Sequence, residues 1–162
     1  MSVSVMSMAT DSSPVSESLS PDCGELAVHF CAPLWGVPHA RTYTLSPAVR
    51  DGVWWLQSIE EPVTTFVLAD PFVIDPSYAV DLGEAERTTL AVTSADGVLA
   101  LIMLTLPAGG AGDVTGNFRA PIVINVHDGK ALQVVSRDER HSLRGPVALA
   151  AYALRTDTAP AS

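Results

Sequence analysis

Apolar and polar positions alternate with a period of two over much of this chain. From Glu25 to Cys31, Leu26, Val28 and Phe30 point one way and Ala27, His29 and Cys31 the other. That is the pattern of a half-buried strand. Val53–Ile59 and Val63–Ala69 read as two more strands about the turn Glu60-Glu61-Pro62, and the second stops at Asp70-Pro71 because proline cannot donate to a ladder. Ile122-Val123-Ile124 is a β-branched run suited to a strand buried on both faces, with Pro121 at its start. Asn117 and Asn125 bracket it, and Asn fixes turns by bonding nearby backbone. Asp128-Gly129 then signals a hairpin, with Leu132–Ser136 as the return strand.

The intervening segments are expected as follows. Ala32–Val49, with Pro33, Gly36, Pro38 and Pro47, is a long connection whose Leu34, Trp35 and Tyr43 pack on the core. Val73–Tyr78 continues extended, and Gly83–Arg87 is one helical turn or a loop. Thr88–Thr93 and Val98–Leu106 form a second Asp-Gly hairpin about Ser94–Gly97, and Gly109–Gly112 is a flexible loop. Residues 1–22, rich in Ser with Pro14 and Pro21, form a disordered tail. The Ala-rich residues 146–162 form a C-terminal tail, in which Val147–Leu154 is a short helix or stays frayed. Residues 23–145 are then a single all-β domain.

Length and composition fit that reading. The chain has 162 residues, 48% of them apolar and 17% charged, with 12 Pro and 11 Gly to make turns. Net charge is −9, and it is uneven: residues 1–118 hold 14 acids and 3 bases, residues 119–162 hold 4 acids and 6 bases. An acidic body repels phosphate, which argues against direct nucleic-acid binding and suits a basic protein partner. Two cysteines, Cys23 and Cys31, make no disulfide framework. With no apolar secretory core and no apolar run of the ~18–20 residues that cross a membrane, a cytoplasmic protein is expected, with no membrane contact.

Candidate chemistry is sparse. Cys23, His29, Cys31 and His39 lack the close Cys-x-x-Cys pair of structural zinc, so no metal is expected. Asp70 and Asp75, five residues apart, are candidates for paired carboxylates in acid–base work, but Asp before Pro is an ordinary turn device. Ser58 has no nucleophile-elbow glycines, and the Gly109–Gly112 loop lacks a phosphate-loop Lys-Ser/Thr end. No catalytic residue and no cofactor is expected. Gln57, a polar residue beside Trp55 in an apolar strand, either holds an adjoining loop or meets a partner. An aromatic left exposed among Trp54, Trp55, Phe66 and Phe72 would mark a protein-binding patch.

Four pieces, in order, resemble the flagellar assembly factor family FliW. Leu56-Gln57-Ser58 is similar to the family's Leu-Gln-Ser strand. Phe66-Val67-Leu68-Ala69-Asp70-Pro71-Phe72 with Tyr78 resembles its Asp-Pro segment and downstream tyrosine. Thr115–Asn125 resembles its Asn-Leu-x-Ala-Pro-Ile-Val-Ile-Asn signature, with Phe118 in place of the usual Leu. Gly129-Lys130 and Gln133-Val134-Val135 resemble its closing strand. The usual Tyr-x-x-Arg ending stands as His141-Ser142-Leu143-Arg144, and both tails are longer than usual. The resemblance implies a small antiparallel β-barrel-like domain that is not an enzyme. It implies binding to flagellin and to the translational regulator CsrA, relieving repression of flagellin messenger RNA. Motif residues in turns are not obviously needed for packing, so Asp70, Phe72, Asn117, Phe118 and Arg119, with Gln57, form the expected partner-binding set. The alternatives are a barrel module with another partner, and an acid–base enzyme using Asp70, Asp75 or a histidine.

Overall fold

The computed structural model describes residues 3–5, 25–93, 97–107 and 113–154. Seven strands close into a barrel: β2 (Leu26–Phe30), β3 (Thr42–Pro47), β4 (Val53–Ser58), β5 (Thr65–Ala69), β7 (Val98–Thr105), β9 (Ile122–Asn125) and β10 (Lys130–Gln133). The hydrogen-bonded order runs β7-β5-β4-β3-β2-β10-β9 and returns to β7 through its pairing with β9. All these joints are antiparallel except β10–β2, where Ala131 lies beside Phe30. Two short strands, β8 (Thr115–Gly116) and β11 (Gly145–Pro146), extend the sheet from β7, and β6 (Val80–Leu82) pairs with β1 (Val3–Val5). The all-β fold expected from the strand pattern, and the small barrel that the resemblance implies, are thus what the described residues form.

The period of two also sorts the core into two layers. Val28, Phe30, Tyr43, Leu45, Leu56, Leu68, Leu99, Leu101, Ile122, Ile124 and Ala131 fill the barrel. Their neighbours on β7 and β9, Val98, Ala100, Ile102, Leu104 and Val123, face outward under a second cluster with Phe72, Tyr78, Leu90, Phe118 and Tyr152. This explains why β7 and β9 read as continuous apolar runs while β2 alternates: the first two are covered on both faces.

Several elements differ from expectation. Ala32–Val49 contains β3, whose Tyr43 and Leu45 alternate inward between Thr42, Thr44 and Ser46; the flanking prolines masked that short period. Leu34 and Tyr43 are buried as expected, but Trp35 is 56% exposed. Val73–Tyr78 is not extended. Pro71–Ile74 forms a single helical turn, α1, capped by the Asp70 carboxylate and begun by Pro71, whose fixed φ suits a first helical position. Thr88–Thr93 is not a strand, because helix α2 (Glu84–Leu90) continues through it. Glu86 accepts from Gly83 N at 2.6 Å, acids occupy the first turn and Arg87 the last, a charge arrangement that suits the helix dipole. The second Asp-Gly hairpin therefore does not form, and β7 pairs instead with β5, β8 and β9. The return strand after Gly129 is Lys130–Gln133, two residues earlier than expected.

At the C-terminal end, Leu149–Ala151 is a 3-10 turn, Tyr152 is buried and Leu154 bridges to Arg50. Residues 146–154 thus pack on the barrel. Of the expected N-terminal tail, Val3–Val5 is strand β1 and the remainder lies outside the described residues, as do Cys23 and the loop 108–112.

Candidate partner-binding face

The expected partner-binding residues fall into two separate places. Most gather around Tyr78. Its ring meets Phe72 at 5.6 Å and Phe118 at 5.7 Å, both edge-on, and His141 at 4.5 Å. Its hydroxyl donates to Phe118 O at 2.7 Å. Phe72 is 4% and Phe118 7% exposed, so the premise that these motif residues are spare to packing is corrected: they are outer-core residues. Burial pushes the Tyr78 phenol well above its ordinary value, with Asp75 adding to it, so it stays a hydroxyl donor.

The polar residues beside them serve the same cluster. Asp70 Oδ1 accepts from Phe72 N at 2.9 Å, and Asp70 O accepts from the Tyr152 hydroxyl at 2.6 Å. Desolvation raises the Asp70 carboxyl above its ordinary value, partly opposed by the Phe72 N–H. Asn117 Oδ1 accepts from Arg119 N and Ala120 N at 3.1 and 3.0 Å, which makes the turn into β9. Arg119 O accepts from Ser136 N, while its side chain is half-buried at the surface. Asn125, at the other end of β9, is buried; it donates to Leu90 O and Ala91 O and accepts from His127 N, so it ties the hairpin to the end of α2.

Gln57 stands elsewhere, on the outer face of β4. In register across the barrel wall lie Ala27, Thr44, Gln57 and Thr65, and one row along lie Ser46, Trp55 and Val67. Residues directly opposite on neighbouring strands share a face. Ala27, Gln57, Thr65 and Trp55 are exposed, Trp55 by 44%. The outer apolar cluster centres on β7 and β9 and reaches β4 and β5 only at Val53, Val67 and Ala69, which leaves Gln57, Thr65 and Trp55 in solvent. Gln57 is therefore not a buried amide. It belongs to a flat strip of Thr, Ser and Gln with one indole, a surface with hydrogen-bonding groups and a large apolar anchor. The sequence signal for the strip was present: the polar partners of the alternation on β2, β3 and β4. What it lacked was the register that sets them side by side.

Other potential chemistry resolves into structure. Asp75 Oδ1 accepts from Ser77 N and Ser77 Oγ, a turn. Ser58 Oγ donates to Glu60 O and accepts from Thr64 N inside the β4–β5 turn. Among the described residues no three His, Cys, Asp or Glu side chains are grouped to hold a metal. His29 meets Thr42 Oγ1, Cys31 Sγ points to Thr89 O, and His39 bonds Pro62 O. His141 bonds Ser136 Oγ and lies 3.8 Å from Asp138, whose carboxylate is gripped by Arg140. No helix among the described residues is long and apolar enough to cross a membrane.

Comparison with known proteins places this architecture. The family model for the FliW protein matches residues 19–147. Flagellar assembly factor FliW 2 of Desulfotalea psychrophila is 33% identical over 115 residues, covering 70% of this chain and 75% of that protein. Flagellar assembly factor FliW of Caldicellulosiruptor bescii is 38% identical over 112 residues, 67% of this chain and 73% of that one. A crystal structure of the flagellar assembly factor FliW superposes with a TM-score of 0.66 at 29% identity, covering 74% of this chain and 84% of that chain. The closed barrel, its capped Asp-Pro turn and the buried Ile-Val-Ile-Asn strand thus belong to a chain that is a member of the FliW family of flagellar assembly factors.

Proposed function

We propose that this protein is a non-enzymatic binding protein of the cytoplasm that associates with flagellin and with the translational regulator CsrA, and that by holding CsrA it relieves repression of flagellin synthesis. The observation that carries this reading is the family match over residues 19–147. Two features of the chain support it. The net charge of −9 suits a basic, RNA-binding protein as partner and disfavours RNA itself. The outer strip of β3, β4 and β5, with Trp55 and Gln57, offers an aromatic anchor among hydrogen-bonding side chains, the composition in which binding energy concentrates. The half-buried Arg119, on the turn held by Asn117, is a second contact candidate; Asp70, Phe72 and Phe118 act through the scaffold.

The test is gel filtration and calorimetry of the purified chain with flagellin and with CsrA, at roughly 20 µM each, where a micromolar complex is largely formed. Co-elution with either supports the reading. Absence of a complex with both removes it.

A further inference from the structure

Strands β3, β4 and β5 contain no Asp, Glu, Lys, Arg or His, in a chain whose net charge is −9. Inward positions of a barrel have no use for charge, but half of these positions face out. Thr44, Gln57 and Thr65 stand in one outward row, and Ser46, Trp55 and Val67 in the next. Ile59 N donates to Thr42 O, so Ile59 carries the outward series of β4 one step further, and it is 58% exposed. Ionisable side chains stop at the border. His29 lies opposite Thr42 on β2, and the Glu60 carboxylate accepts from Thr42 N at 3.1 Å. The face is a sheet surface with two exposed apolar side chains, Trp55 and Ile59, with hydroxyl and amide groups beside them and no charge within it.

We propose that this face docks an uncharged protein surface, in which apolar side chains are interspersed with amides and hydroxyls, and that of the two partners proposed for the chain it takes flagellin, while CsrA is held elsewhere. This rests on the pair of partners given under Proposed function and adds which of them meets the face. The physical ground is desolvation. A partner's ionised group pressed onto Trp55 and Gln57 would lose its water and find no counter-charge, so its burial is opposed. A basic, RNA-binding protein is drawn instead to acids, and these lie off the face: Glu61 is exposed in the β4–β5 turn, and Asp81 and Glu84 are exposed on β6 and α2. A neutral partner surface meets no such opposition. Charge-depleted patches around an aromatic side chain have the make-up of an interface core, with Gln57 and Thr65 left to satisfy the partner's polar groups.

The experiment uses the full chain and its variants Gln57→Glu, Gln57→Lys, Gln57→Met and Trp55→Ala, each titrated by calorimetry with flagellin and with CsrA. Gln57 and Trp55 are exposed, so melting temperatures are expected to stay unchanged and to establish that the variants fold. Both charged variants are expected to bind flagellin at least about tenfold more weakly, because a charge of either sign is buried there without a partner, and Trp55→Ala to do the same through loss of the indole. Gln57→Met, of similar size and uncharged, is expected to stay within about threefold of the unaltered chain. CsrA affinity is expected to stay within about twofold for all four, since one charge away from the contact is screened by salt. Flagellin affinity that rises with one sign of charge and falls with the other would reveal a charged contact and overturn the proposal. Flagellin affinity unmoved by all four variants overturns it too, as does CsrA affinity that falls about tenfold with Trp55→Ala or Gln57→Lys. An unaltered chain that binds CsrA and not flagellin overturns the assignment alone, whereas one that binds neither removes the reading beneath it as well.

Discussion

Tyr78 is the residue on which the outer core turns. It touches Phe72, Phe118 and His141 with its ring and holds the Phe118 carbonyl with its hydroxyl. Tyr78→Phe keeps the rings packed and leaves that buried carbonyl without its donor, so thermal or urea unfolding is expected to show a loss of about 1–3 kcal/mol. Phe72→Ala empties a buried site and should cost roughly 3–5 kcal/mol. Asp70 separates capping from charge. Its carboxyl has a folded-state value above its ordinary 3.8 because it is desolvated. Between those two values the folded chain binds more protons than the unfolded one, so this group's contribution to stability falls as pH rises through that window and stays lower above it. Asp70→Asn keeps a good cap and removes the charge. Its stability relative to the unaltered chain is therefore expected to improve as pH is raised from about 3 to 7, whereas Asp70→Ala loses the cap and about 1 kcal/mol. Parallel pH titrations of the melting temperature check both; a relative stability of the Asn variant that falls with pH contradicts the assignment.

At the scale of elements, α2 ends on Ala91 in the left-handed region, with φ of 59°. A Cβ is disfavoured there, and glycine is the usual residue at that position. Ala91→Gly should raise stability by up to about 1 kcal/mol, read from a urea midpoint at unchanged slope. Gly129 is the opposite case. It lies at φ of 81°, and a Cβ there would press on the Ala27 carbonyl where β10 meets β2. The hairpin and the parallel joint that closes the barrel share that one residue. Strand β4 carries the surface prediction. Trp55→Ala removes a half-exposed indole from the outer strip and should weaken partner binding by about tenfold or more, roughly 1.4 kcal/mol, with little change in melting temperature. Calorimetry with the partner that co-elutes decides this; unchanged affinity moves the contact to another face.

For the molecule as a whole, charge and closure are the properties that matter. The excess of acids over bases is spread along residues 1–118 rather than held at one contact, so its effect on a basic partner is chiefly on the rate of encounter. Stopped-flow association is expected to slow several-fold between about 50 and 300 mM salt, with dissociation much less affected. A rate independent of salt would mean that shape, not field, brings the partners together. Closure of the seven strands pairs both edges that an open sheet of them would carry.

The alternation of side chains along β2, the apolar β-branched run of β9 and the turn residues between the strands were enough to establish an all-β chain, because a strand's period and faces are set by local geometry. The turn at Asp128-Gly129 was legible for the same reason: Gly129 has the positive φ that a glycine in a tight turn supplies. Contacts between distant segments were not legible. Whether Thr88–Leu90 is strand or helix depends on Leu90 reaching the outer core and on Asn125, 35 residues later, donating its side-chain N–H groups to the carbonyls at the helix end. Phe72 and Phe118 look spare in their own turns and become core only because Tyr78 stands between them. The exposed strip around Gln57 exists because three strands align in one register and the outer layer touches them only at Val53, Val67 and Ala69, which is a property of the closed barrel and of no single stretch of the chain.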